Sequence, residues 1–140
     1  MALSADEREA FLAEPHVAVL AVDAGAARGP VAAPVWYGYT PGGDLVIYTG
    51  RQSRKARLIE AAGRCTLTVQ RVQPTYRYVA VEGRVSFHEA RPESFAAIAE
   101  RYLPVASVPT YVTDMFAQPA PMVEMRLTPE RWNAADLGAV

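Results

Sequence analysis

Short apolar runs separated by reversing turns, with one capped helix let in after the third, most narrow the folds open to this chain. Residues 17–22 are β-branched and apolar, and Asp23-Ala24-Gly25 through Gly29-Pro30 turns them into a second run over 31–40. Pro41-Gly42-Gly43-Asp44 makes another tight turn into 45–49, so three strands in antiparallel succession, a meander, are predicted before any helix intervenes. Ser53 is then a good N-cap, and 54–62 carries helix-forming residues closed by Gly63. Beyond it, 65–71 alternates, 76–88 continues as a long strand rich in Val and Tyr with Gly83 as a bulge or bend, and 122–127 reads as a last strand.

Helices flank this pattern. Ser4-Ala5-Asp6-Glu7 has the spacing of a capping box, apolar Phe11 and Leu12 follow, and Pro15 ends the helix after about Ala13. Phe95, Ile98, Ala99 and Tyr102 recur at helical spacing over 93–103, 107–116 forms another short helix, and the proline-flanked stretch 104–121 reads as a cover over one end of the sheet. Six antiparallel strands in one short chain favour a small closed or nearly closed barrel, because closure removes exposed edges. The expected class is therefore mainly β (α+β), a six-stranded antiparallel barrel with short flanking helices. It forms one domain over 1–140.

Several function classes are set aside by composition. The N-terminus is charged at Asp6-Glu7-Arg8-Glu9 where an export signal is apolar, and no apolar run reaches membrane-spanning length, so a soluble, cytoplasmic protein is expected. One cysteine, Cys65, excludes an internal disulfide, and its alternating strand context predicts a buried, inert thiol. His16 and His88 share no ligand spacing with each other or with Cys65, so no metal site is expected and both read as surface histidines. Glu82 and Arg84 flank Gly83 in a strand and read as a cross-strand pair.

Charge is uneven along the chain. Net charge is only -1, yet the single lysine, Lys55, stands in the cluster Arg51-Gln52-Ser53-Arg54-Lys55-Ala56-Arg57. A helix starts inside that cluster, so unpaired backbone N–H groups, the positive end of a helix dipole, a hydroxyl and cationic side chains converge on one place. Such a terminus is an anion cradle suited to a phosphate, although a basic heptad of this kind is more often a solvated helix face. The acidic balance argues against nucleic acid, whose electrostatic footprint spreads over a whole face.

The stretch Leu45-Val46-Ile47-Tyr48-Thr49-Gly50-Arg51-Gln52-Ser53-Arg54-Lys55, followed by Leu58 and Cys65-Thr66-Leu67-Thr68-Val69, resembles the cofactor-phosphate segment of the pyridoxamine 5'-phosphate oxidase-like superfamily, the flavin-binding split β-barrels. The order of elements agrees over roughly 10–130, and the segment 48–55 is the part of motif grade. The resemblance implies a split barrel that is a homodimer, with FMN or a deazaflavin, coenzyme F-420, in each of two clefts at the interface. It implies that Tyr48 and Thr49 lie along the cofactor and that Ser53, Arg54 and Lys55 hold its phosphate. Tyr78 falls where the family often has a flavin-contacting glutamine, and Trp132 falls in a tail that split barrels often lay beside the partner's ring.

Departures from the family pattern narrow the activity. A phosphate-binding arginine of the second strand is replaced by Ala33 or Pro34, a substrate-phosphate lysine by Gly38, and the Arg-x-His element by Arg131-Trp132-Asn133. The implied function is an FMN-dependent oxidoreductase acting on a small organic substrate other than pyridoxamine phosphate. The alternatives are a coenzyme F-420-dependent reductase, for whose polyglutamate tail Arg51 and Arg57 are available, and a non-catalytic flavin or haem binder. Of the aromatic strand residues, Trp36 faces one side and Tyr37 and Tyr39 the other, one side core and the other lining a cofactor or dimer cleft. The substrate pocket is expected from 104–122 and the partner's tail.

Overall fold

Each cap read from the sequence closes a helix. In the computed structural model, which describes residues 1–138, the Ser4 hydroxyl accepts from the Glu7 amide and the Glu7 carboxylate accepts from the Ser4 amide, opening helix α1 (Ala5–Ala13). This helix sends Phe11 and Leu12 into the core at 1% and 0% exposure. Ser53 caps helix α2 (Arg54–Ala62) by accepting from the Ala56 amide, and Gly63 ends it at φ 77°, a left-handed conformation that costs glycine nothing.

The strands are β1 (Ala18–Val22), β2 (Val31–Val35), β3 (Gly38–Tyr39), β4 (Leu45–Gly50), β5 (Arg64–Arg71), β6 (Arg77–Glu89), β7 (Met122–Leu127) and β8 (Arg131–Asp136). Helix α3 (Pro92–Ala99), a 3-10 turn (Val105–Ser107) and helix α4 (Val108–Phe116) separate β6 from β7. All pairings are antiparallel, in the order β2-β1-β5-β6-β7-β4-β3, with β8 on β6. The two ends of that path, β2 and β3, are consecutive in the chain and separated only by Trp36 and Tyr37. The sheet is therefore curled into a barrel whose split is bridged by the backbone itself.

This arrangement confirms a mainly β split barrel and corrects its details. The expected second strand, 31–40, breaks at Trp36-Tyr37 into β2 and β3, so the first three runs form two hairpins at opposite ends of the path instead of one meander. The expected tail forms β8, which together with the division of the second strand raises the strand count from six to eight. Its sequence, Arg-Trp-Asn-Ala-Ala-Asp, has little strand character of its own, and it is strand because it covers the edge that β6 offers it.

Gly83 corrects a third expectation. The β5–β6 register runs through Cys65↔Gly83 without a bulge, while β6 exchanges partners there, from β8 up to Glu82 to β7 from Val85. The β7–β8 connection crosses directly over the glycine, with Thr128 N–H donating to the Arg84 carbonyl and Glu130 N–H to the Glu82 carbonyl, both at 2.9 Å. A Cβ on Gly83 would lie 1.7 Å from the Thr128 oxygen, so only glycine admits the crossing. Glu82 and Arg84 do not pair with each other: Arg84 bonds Glu130 at 2.7 Å and Glu82 faces Arg131 at 4.0 Å.

Alternation divides each strand. Leu20, Leu67, Val79, Val81, Leu45, Ile47, Met125 and Leu127 fill the barrel, and Tyr37 and Tyr39 join them, as the expected core side of their strand. Cys65 is buried with its thiol pushed up to about 12 by desolvation, which makes it inert at neutral pH. Among the described residues no helix is long and apolar enough to cross a membrane.

Candidate functional site

Outside the barrel, helices α3 and α4 lie over β4 and enclose a groove of about 660 Å³. Its floor is Tyr48, Thr49 and Gly50 from β4, its far side Val17, Pro34, Val35 and Trp36, and its roof Phe95, Ile98, Tyr111 and Met115. It therefore opens between β2 and the part of β4 that lies beyond its pairing with β3. Lys55, half-buried on the first turn of α2, closes one end.

The anion cradle forms at that end. Thr49 Oγ1 and Ser53 Oγ are 3.2 Å apart, and Ser53 Oγ also accepts from the Ala56 amide. With Thr49 as donor, the Ser53 proton is free to be given to a ligand. The amides of Arg54 and Lys55, in the first helical turn, have no acceptor within the helix. Arg54 and Arg57 are exposed, and Arg51, 3.9 Å from Glu60, is only loosely paired. A dianionic phosphate seated here meets amides, a hydroxyl and cations together.

The remainder of the groove is aromatic. Trp36 stacks on Tyr102 with centroids 4.9 Å apart and planes 8° apart, and it also approaches Tyr111 at 5.9 Å. Phe95 stacks on Tyr111 at 5.5 Å and meets Tyr48 edge-on at 5.3 Å. The Tyr48 phenol is pushed up to about 12 by burial and by the neighbouring Glu124 carboxylate. A groove of this volume, walled by aromatics and by sulfur at Met115 and Met122, suits a fused heteroaromatic ring.

Of the expected site residues, Tyr48, Thr49 and Lys55 line the groove, Ser53 is tied to it through Thr49, and Arg54 is exposed beside it on the first turn of α2. Trp36 is on the groove, as one of the two sides expected for it, and Tyr111, Met115, Gln118, Ala120 and Met122 come from the stretch 104–122. Tyr78 and Trp132 do not line the groove. The Tyr78 hydroxyl is 3.4 Å from Asn133 on the outer face of β6, and the Trp132 ring lies under the Arg8 guanidinium at 4.5 Å. Phe95 was missed as a wall residue because its helical spacing reads equally as core, and Glu124 because a single acid in an apolar strand carries no motif. The His16 ring Nε2–H donates to Glu14 Oε1 at 3.1 Å, and no cluster of three or more His, Cys, Asp or Glu placed to hold a metal occurs among the described residues.

The outer face of β2, β1, β5 and β6 is the other notable surface. Cross-strand rows Pro34–Val19–Thr68–Ala80 and Ala32–Ala21–Thr66 are small and uncharged, and Val19 is 46% exposed, while the second row ends on β6 at Glu82, which faces Arg131. Val17 and Pro34 carry this face to the rim of the groove.

Residues 4–136 match the family model of pyridoxamine 5'-phosphate oxidase. Similar solved structures include an F-420 reductase, 22% identical with a TM-score of 0.71 over 89% of this chain and 94% of that one. A FAD-binding protein from Mesorhizobium loti is 21% identical, with a TM-score of 0.70 over 99% of this chain and 98% of that one. A conserved protein from Mycobacterium tuberculosis is 22% identical, with a TM-score of 0.73 over 96% and 85%. No curated protein matches the sequence. At these identities the structural likenesses establish the fold.

Proposed function

The chain belongs to the pyridoxamine 5'-phosphate oxidase family, and from that premise we propose that it is an oxidoreductase that binds FMN in the groove beside α2 and acts on a small organic substrate. The observation that carries this reading is the conjunction of a capped, cationic helix terminus with an aromatic slot in one continuous groove. Ser53, Lys55 and the first-turn amides hold the phosphate, with Arg54 at the rim; Tyr48 and Thr49 run beside the rest of the nucleotide. Trp36, Phe95 and Tyr111 orient the ring and exclude water from it. The bound cofactor supplies the hydride or electron transfer, so no protein nucleophile is required.

The proposed assembly is a homodimer across the β2–β1–β5 part of the outer face, which adjoins the groove. The rows on β2, β1 and β5 carry no charge, the charged residues Glu82, Arg64 and Arg84 standing toward the far end of β5 and β6, and closing the uncharged part would bring a second chain against the groove's open side. In such a dimer Tyr78, on the outer face of β6, would stand toward the second chain, whereas Trp132, opposite inward-facing Val81 and packed on the core under Arg8, is turned away from that face and is not proposed for the partner's groove.

Coenzyme F-420 is the second reading. One phosphate leaves Arg51, Arg54 and Arg57 with charge to spare, and a polyglutamate tail would use it. A non-catalytic flavin or haem carrier is the reading left if binding occurs without turnover. Titration of the purified protein with FMN and separately with coenzyme F-420, followed by tryptophan quenching and the cofactor spectrum, tests these readings. Tight uptake of one selects the subclass; uptake of neither overturns the cofactor assignment.

A further inference from the structure

Three buried polar or charged residues stand out among the described residues, Thr49, Asp136 and Glu124, and two have evident roles. Thr49 bonds Ser53 at the cradle, and Asp136 ties Thr75, Arg71 and Arg77 to the last strand. Glu124 is 1% exposed on β7, facing out of the barrel beneath α3. Burying a carboxylate is costly, and an apolar residue of similar size generally stabilises such a position at least as well. Stability therefore does not account for it.

Its contacts do. The Tyr48 hydroxyl donates to Glu124 Oε1 at 2.6 Å, and Arg126 Nε donates to Oε2 at 2.6 Å. A phenol has one proton, and the short bond to a carboxylate commits it there, although the Arg91 carbonyl also lies within 3.2 Å. The phenol oxygen then accepts from the Arg91 amide at 3.1 Å. Arg91 is the N-cap of α3 and makes no side-chain cap bond of its own, so this contact anchors the start of the helix that carries Phe95 and Ile98. His88, across the strands on β6, turns its ring to Ser86 at 2.7 Å, which leaves Tyr48 and Arg126 as the two partners of Glu124.

We infer that Glu124 is a positioning residue of the groove: through Tyr48 it latches the N-terminus of α3 to the sheet and so sets the spacing of the aromatic slot. The affinity part of this inference rests on the groove being the cofactor site; the latch itself does not. Burial alone would raise the Glu124 carboxyl, but the bonds from Tyr48 and Arg126 outweigh it and hold the group below the ordinary range, so it is an anion at neutral pH.

Glu124→Gln, Tyr48→Phe and the double variant test the inference. Amide exchange at Arg91 and the near-ultraviolet circular dichroism of the unliganded protein read the latch, and titration with FMN and coenzyme F-420 reads its effect on the slot. Each single variant is expected to speed Arg91 exchange, to alter the aromatic dichroism and to weaken binding on the order of ten-fold. The double variant is expected to lose no more than either single one, because both cut the same connection. Unchanged exchange and dichroism in Glu124→Gln, or additive losses in the double variant, would overturn the latch. Should Glu124→Gln fail to fold, Glu124→Asp, which keeps the charge but withdraws it from the Tyr48 hydroxyl, takes its place with the same readouts, and unchanged exchange and dichroism in it would overturn the latch. If the parent takes up neither compound, the cofactor reading falls, while exchange and dichroism still decide for or against the latch.

Discussion

Lys55 shows how a single side chain acquires meaning from its neighbours. In sequence it is one cation among several; in the structure it is the half-buried one that closes the groove, while Arg54 and Arg57 lie exposed. Lys55→Ala is expected to weaken cofactor binding by about 1–3 kcal/mol with the melting temperature unchanged, and Arg54→Ala by the lower part of that range, both read by titration. Asp136 makes a prediction of stability. The Thr75 hydroxyl, with Arg77 and the Gly138 amide, holds its carboxyl down to about 2, against an ordinary value of 3.8. A depressed carboxylate adds stability that is complete above the unfolded value and is lost as pH falls through the folded one. Denaturant titrations should therefore show stability falling between about pH 4 and 2, and Asp136→Asn should flatten that part of the profile. Both residues are visible in the sequence, but their partners are 59 and 61 positions distant in the case of Arg77 and Thr75, so no local pattern points to them.

At the scale of elements, α2 was the most legible part of the fold, since its cap, its stop and its charge are all local properties. Ser53→Ala removes the bond to the Ala56 amide and is expected to cost about 1 kcal/mol in denaturant stability, and it also loosens the cradle. The β7–β8 crossing was illegible, because the glycine it needs, Gly83, lies on β6 far away in sequence. Gly83→Ala puts a methyl group 1.7 Å from the Thr128 oxygen, so the crossing must shift. Its expected cost is at least the roughly 1–3 kcal/mol of overpacking, read as a lowered unfolding midpoint or as loss of soluble protein. Strand β8 was missed for a related reason: pairing with β6, anchored by Asp136, makes it a strand, while its own residues have weak strand preference.

For the molecule as a whole, the proposed dimer gives the sharpest prediction. Val19→Glu places a charge among the uncharged residues of β2, β1 and β5 on the outer face and is expected to shift sedimentation toward the monomer and to weaken cofactor uptake together, while the barrel stays folded. A parent protein that sediments as a monomer yet binds cofactor would show that one chain suffices. The chain determines by itself its class, its caps and the basic helix terminus, because turns, periodicity and capping act between residues a few positions apart. It also carried the resemblance to its family in residues 48–55. Only the tertiary structure decided that β2 and β3 close the ring from opposite ends, that α3 and α4 roof the slot, and that Glu124 stands beneath Tyr48. Those relations depend on strand partners chosen across the sheet, where backbone pairing and burial outweigh anything a neighbouring residue can specify.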